Sequence, residues 1–316
     1  MTVWSPPWQT VNMEQHYIPR FYLGAFQDAT APGGQTPALW ITDLQEAKVS
    51  RRAPKNVGKR TDYYAFPEED QPNQRVEEIL SQIESHAAPI LARLREGQEG
   101  LDGQERADLA YFMAFLATRV PIFRDALEAF MAELVQMVMT MSASHPEYFV
   151  RGYREANAGK ELSEAEIEDA RQAILKGAYK VRAKPKLSLA AAVEAANDTV
   201  YPLLNEMRWA FLSAGDGVSF LTCDNPVSWV DPTLPPGFYG SGLAMRKVEV
   251  TFPIGPKLCL LASWEGPSGR VAAPDSLVGE MNRRRIGFAG RFVFANSEEG
   301  AVAALSMFQA EQAKKK

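Results

Sequence analysis

The 316-residue sequence predicts an α+β fold: a mostly helical middle region with a small, mainly antiparallel sheet built from N-terminal and C-terminal strands. Three observations predict it. A short apolar run, ALWITD (38–43), stands near the start. From about 72 to 213 apolar residues recur at spacings of three and four. Beyond 215, short β-branched and aromatic runs alternate with Gly and Pro turns. Strands at both ends with helices between them suit α+β rather than alternating α/β.

Each element has its own warrant. Residues 1–15, with Trp4 and Trp8 flanking Pro6 and Pro7, read as an irregular arm. HYIPRFYLGAF (16–26) reads as a short helix, with Tyr17, Phe21, Leu23 and Phe26 on its packed face and Pro19 in the first turn, where its missing N–H costs nothing. ATAPGGQTP (29–37) is a loop and 38–43 a strand. KVSRRAPKNVGKR (48–60) carries six basic residues and no acid. It reads either as a solvated loop before the aromatic TDYYAF or as a phosphate- or nucleic-acid-facing edge. Val76, Ile79, Leu80, Ile83, Ala87, Ile90, Leu91 and Leu94 mark an amphipathic helix kinked at Pro89. A second helical region covers 104–142, with Pro121 as a break. Ser163 and Glu166 form a capping box. Leu189 to Phe211 mark a helix over 187–213, which Pro202 splits. Strands follow over 218–223, 226–230, 245–254, 257–263 and 291–296, with a helix at 276–287 and a closing helix capped by Asn296 or Ser297. The expected domain is 16–312, with a helical insert at 72–214, a β-rich part at 215–312 and a basic tail at 313–316.

Composition bounds the function. Hydrophobic residues make up 46% and charged residues 23%, which is ordinary for a globular chain. The net charge of −5 argues against non-specific nucleic-acid binding by the whole surface but leaves room for a local basic patch. Two cysteines, Cys223 and Cys259, make neither a disulfide framework nor a cysteine-only zinc site. The N-terminal residues show no signal-peptide pattern. Arg119, Arg124, Asp125, Glu128 and Glu133 interrupt the most apolar stretch, 109–141, so no membrane span is expected. The expectation is a cytoplasmic protein.

Dinucleotide, P-loop, zinc-protease, α/β-hydrolase and deaminase signatures are absent. Of the three histidines, His86 and His145 read as structural or surface residues. FLTCDNPVSW is more pointed, because an apolar strand delivers Asp224 and Asn225 to a turn set by Pro226. A carboxylate there suits a metal ligand or general base, or else an Asx-turn in which Asp224 caps local amides. Arg119 and Arg124 stand in an apolar helix, where arginine needs a carboxylate or a ligand anion. Glu84 or Asp224 is the expected partner of Arg119.

HYIPRFYLGAF, LWITD, NVGKRTDYYAF, ILSQIESHAAPIL, FMAFLATRVPIFR, FLTCDNPV, VTFPIGPKLCLL and MNRRRIGFAGRFVFAN occur in one order across residues 15–296. Together they resemble the bacterial and fungal family called domain of unknown function 4238. The resemblance implies positions rather than an activity: His16, Tyr17, Pro19, Arg20, Leu23 and Phe26, then Glu84, Arg119 and Arg124, then Asp224, Asn225, Pro226 and Asn282. The family more often has Ser where Cys223 stands, which weakens a catalytic hydroxyl or thiol at that position.

Two functions follow as expectations. One is a hydrolase acting on a phosphorylated or nucleic-acid substrate, metal-assisted if a divalent ion binds. His16, Asp224 and Asn225 would then be catalytic (Asp224 and His16 the candidate metal ligands). Arg20, Arg119 and Arg124 would hold the anion, with Glu84, Tyr17 and Asn282 in support, and the run 48–60 would guide the phosphorylated small molecule or nucleic acid. The other is a non-catalytic binding or interaction module, of defence or toxin–antitoxin type, in which His16, Arg119 and Asp224 form a buried structural network.

Overall fold

A computed structural model of the chain describes residues 14–28, 37–61, 63–64, 74–98, 100–182, 185–234 and 241–314. Most of the expected arm and of the 29–37 loop, and the end of the basic tail, lie outside these residues. The chain divides into two units, one of residues 1–122 with 193–316 and one of residues 123–192.

In the first unit, strand β1 (Glu14–His16) takes in the last two residues of the expected irregular arm and the first residue of the expected helix. It pairs antiparallel with β4 (Lys59–Thr61), His16 opposite Lys59. The amides of Tyr17 and Ile18 then donate to the Gly58 carbonyl at 2.9 and 3.2 Å. With those amides committed, helix α1 shortens to Arg20–Gly24, entered through an extended Pro19. Gly58 has a φ of +65°, and a Cβ there would come within 3.1 Å of Ile18. Only glycine both adopts that turn and lets the two segments approach so closely.

Three sheets form among the described residues, rather than one small sheet. A four-stranded sheet runs β3 (Lys48–Arg52), β2 (Leu39–Asp43), β11 (Phe292–Ala295), β6 (Thr222–Cys223). Its pairs are all antiparallel, and Ile41 opposite Phe294 joins the two ends of the chain. A five-stranded sheet runs β10 (Gly269–Ala273), β5 (Arg208–Ala214), β9 (Leu258–Ser263), β8 (Glu249–Gly255), β7 (Ser228–Val230). Only β10 and β5 run parallel. The helix expected over 187–213 stops early, because Arg208–Ala214 is a central strand with Trp209, Ala210 and Leu212 buried. Upstream lie α7 (Pro185–Glu194), a π turn at Ala195–Val200 and α8 (Tyr201–Glu206).

Helix α9 (Asp275–Phe288) serves both larger sheets. Val278 and Met281 join a core with Leu212, Phe220 and Leu261. Ile286 joins another with Cys223, Val293 and Ala301. The second core is closed by α10 (Glu298–Lys314), whose Ala301 carbonyl accepts from Thr42 Oγ1 at 2.7 Å. Helices α2 (Gln74–Arg95) and α3 (Gly103–Thr118) pack on each other. Phe112 of α3 meets Phe21 and Phe252, and Tyr22 stacks on Phe252 at 5.2 Å.

The second unit is helical. It holds most of α4 (Pro121–Ala143), with α5 (Pro146–Ala156) and α6 (Glu164–Leu175) around Ala143, Phe149, Ile167 and Ile174. Ser163 and Glu166 form the capping box at the start of α6. By length and composition α4 is long and apolar enough to cross a membrane, and most of it is exposed.

Candidate anion-binding site

The residues singled out in the sequence fall into separate groups. His16, at the end of β1, lies within electrostatic reach of Arg20, Lys59 and Glu84. Burial and the Arg20 charge hold its imidazole below the ordinary value, against a hydrogen bond with the Lys55 backbone and the Glu84 charge. Its Nε2 is buried without a partner. Arg119, at the C-terminal cap of α3, is 4% exposed and donates to Glu84 Oε1 at 2.9 Å. Its carbonyl accepts from Tyr63 Oη at 2.7 Å. Arg20 is exposed on α1. Arg124 belongs to the other unit, where it donates to Ser188 Oγ at 3.4 Å, and Ser188 donates to Glu128.

Asp224 stands apart from that group. Among the described residues no hydrogen bond joins it to His16 or Arg119. Its carboxylate instead accepts from three consecutive amides: Gly290 at 2.8 Å, Arg291 at 2.7 Å and Phe292 at 3.0 Å. Burial pushes this carboxyl up, and the three amides pull against it. A Cβ on Gly290 would lie 3.3 Å from Asp224 Oδ2, so the turn and the carboxylate are fitted to each other. The Asp224 amide also donates to the Phe292 carbonyl at 2.9 Å, which ties the β6 end to β11.

Asn225 and Asn282 also bond to backbone. Asn225 Nδ2 donates to the Phe288 carbonyl at 3.3 Å. Asn282 accepts from the Leu221 amide and donates to the Ser219 carbonyl, which fixes the segment leading into β6. Beside them is Arg285, which the sequence reading missed. It is 2% exposed, and its two terminal nitrogens donate to the carbonyls of Asn225, Pro226 and Thr251 and to Thr251 Oγ1. A signal for it existed, since Val278, Met281, Asn282 and Arg285 share one helical face. Tyr22 completes the buried set, donating to the Pro253 carbonyl at 2.8 Å with Thr222 Oγ1 at 2.7 Å. Burial pushes the Cys223 thiol up to about 12, so it is a poor nucleophile.

The basic run is where an open site lies. Much of it is paired backbone rather than free loop: β3 pairs with β2, and β4 with β1. Strand alternation sends Lys48, Ser50 and Arg52 to one face, where they line a cavity of about 270 Å³. The cavity is completed by Tyr17, Arg60 and Asp43, among others. The opposite face of the sheet packs Trp40 and Val49 against the α10 core.

Charge in the cavity is unbalanced. Asp43 and Glu46 are engaged by Arg291, at 2.6 and 2.9 Å. Burial raises the Asp43 carboxyl, but Arg291 and the Gln45 and Glu46 amides outweigh it and leave it below the usual range. Glu14 is engaged by Lys59. Lys48, Arg52 and Arg60 have no ion-pair partner among the described residues. Tyr17 is 5% exposed, lines the cavity, and its hydroxyl has no hydrogen-bond partner among the described residues. Among the described residues the cavity lining, counted with Arg291, carries five bases against three acids, and a pocket of net positive charge with Tyr17 in its wall is suited to an anion. No group of three or more His, Cys, Asp or Glu side chains among the described residues is arranged to hold a metal ion.

The sequence profile of a family described as protein of unknown function, DUF4238, matches residues 14–299. No curated protein and no solved structure matches the chain significantly. Residues 14–299 make up most of the sequence, so the chain belongs to the DUF4238 family.

Proposed function

We propose that the protein is a binding module for a phosphorylated small molecule, with the phosphate seated between Lys48, Arg52 and the Tyr17 hydroxyl. The observation that carries this reading is the cavity of about 270 Å³ whose acids are engaged by Arg291 and Lys59, while Lys48, Arg52 and Arg60 have no ion-pair partner among the described residues. Its volume suits a phosphate ester of modest size and is too small for a nucleic-acid duplex, whose phosphates need an open groove. Lys48 and Arg52 come from one strand face, so their spacing is set by the backbone rather than by a loop.

Binding is favoured over hydrolysis because the acids that could act as bases are already committed. Asp224 is held by three amides, and Asp43 by Arg291 and two amides. The Nε2 of His16 is buried, so its imidazole could not take a proton from a ligand unless the surrounding chain moved. On this reading the family positions at His16, Arg119, Asp224 and Asn282 hold the scaffold around the cavity.

Thermal unfolding with added phosphate esters tests this. A ligand at about 100 times its dissociation constant adds about 2.7 kcal/mol of stability. Pyrophosphate and simple phosphomonoesters should raise the melting temperature of the native protein. Neither should raise that of Lys48→Glu/Arg52→Glu, whose substituted side chains are on an exposed strand face. Equal stabilisation of both proteins would rule the cavity out.

A further inference from the structure

Helix α4 carries a feature that anion binding leaves unused. Phe123, Leu127, Phe130, Leu134, Met137 and Met141 follow one another at alternating spacings of four and three residues. That is the seam pattern of a coiled coil. Phe130, Leu134, Met137 and Met141 are 48–63% exposed, and Val135 and Val138 beside them are 44% and 58% exposed. At on the order of 150–200 Å² per large side chain, these six leave roughly 600 Å² of apolar surface in water, the top of the range for a monomer's largest patch. A groove of about 790 Å³ bordered by Val138, Met141, His145 and Tyr148 runs along one side of the ridge. A second, of about 420 Å³ and bordered by Met137, Leu175 and Tyr179, runs along the other.

We propose that this face is a homodimer interface, with α4 of one copy packed along α4 of a second. A ridge flanked by grooves on one patch is self-complementary, as a two-fold interface requires. Two such patches together bury about 1,200 Å², the lower limit of a standard stable interface. Charge also permits a parallel pairing. In that register Glu133 flanks the seam opposite Val138 of the second copy, so no like charges meet. A lipid surface fits less well. The exposed charges of α4 are acidic (Asp125 and Glu133), and its only base, Arg124, is buried, so an anionic membrane would repel the helix.

Sedimentation equilibrium on the full chain over roughly 1–100 µM tests the proposal. The native protein should reach the dimer mass within that range. Met137→Glu should raise the dissociation constant about a hundredfold, while Met137→Leu should leave the dimer in place. Residue 137 is 60% exposed, so both variants should keep the native circular dichroism spectrum. Three results would overturn the proposal: a native protein that stays monomeric throughout, a dimer indifferent to Met137→Glu, or a monomer that floats with phosphatidylcholine–phosphatidylserine vesicles. The last would assign the face to a membrane.

Discussion

Replacing Asp224 with alanine should cost the fold about 3–4 kcal/mol. The carboxylate satisfies the amides of Gly290, Arg291 and Phe292, all within 3.0 Å. A buried donor left without an acceptor costs about 1–3 kcal/mol. Gly290 is exposed and Arg291 and Phe292 are half-buried, so water recovers part of the loss and the lower end applies to each. Asp224→Asn should not restore stability. One oxygen can still accept from Gly290, but the new NH₂ group faces the Arg291 and Phe292 donors, and a loss of about 2 kcal/mol remains. Urea unfolding followed by circular dichroism measures both variants. Hydrogen exchange at 290–292 should accelerate in parallel. A change of less than about 0.5 kcal/mol in Asp224→Ala, the size typical of an inert surface site, would refute the structural role of Asp224.

Other outcomes follow from the same contacts. Because the folded state holds His16 below the ordinary histidine value, the unfolded chain binds a proton first as pH drops through about 6.5. Stability should therefore fall as pH goes from 7.5 towards 5.5, and His16→Gln should flatten that dependence in urea titrations. Tyr22→Phe leaves the Pro253 carbonyl without its donor and should cost about 1–2 kcal/mol by the same assay. Arg285→Met strips donors from the Asn225, Pro226 and Thr251 carbonyls. It should cost more than about 3 kcal/mol even though a buried cation is removed.

Much of the architecture was legible because its signals are local. Ser163 and Glu166 announce the start of α6, and ALWITD is a strand that pairs with 292–295. The misread segments needed tertiary information. Residues 208–214 continue an apolar spacing of three and four, but sheet neighbours on both sides draw them into a strand. The basic run looked like loop because its charge suits a solvated segment and Lys, Pro, Asn and Gly are weak strand formers. Pairing with β2 and β1 sets its conformation, and only then does alternation bring Lys48, Ser50 and Arg52 into line.

The site was legible in a comparable way. A partner for buried Arg119 could be inferred from charge burial alone, and Glu84 supplies it. The job of Asp224 could not, since its three partners are backbone amides about 66 residues downstream, which carry no sequence signature. Arg285 was hidden among three consecutive arginines, of which it alone is buried.

A crystal structure of the protein soaked with a phosphomonoester at saturating concentration tests the assignment most directly. The phosphate should lie between Lys48, Arg52 and the Tyr17 hydroxyl, with Asp224 still on the amides of Gly290, Arg291 and Phe292. A phosphate bound against His16 and Arg119, or an Asp224 carboxylate turned away from those amides towards the ligand, would contradict it.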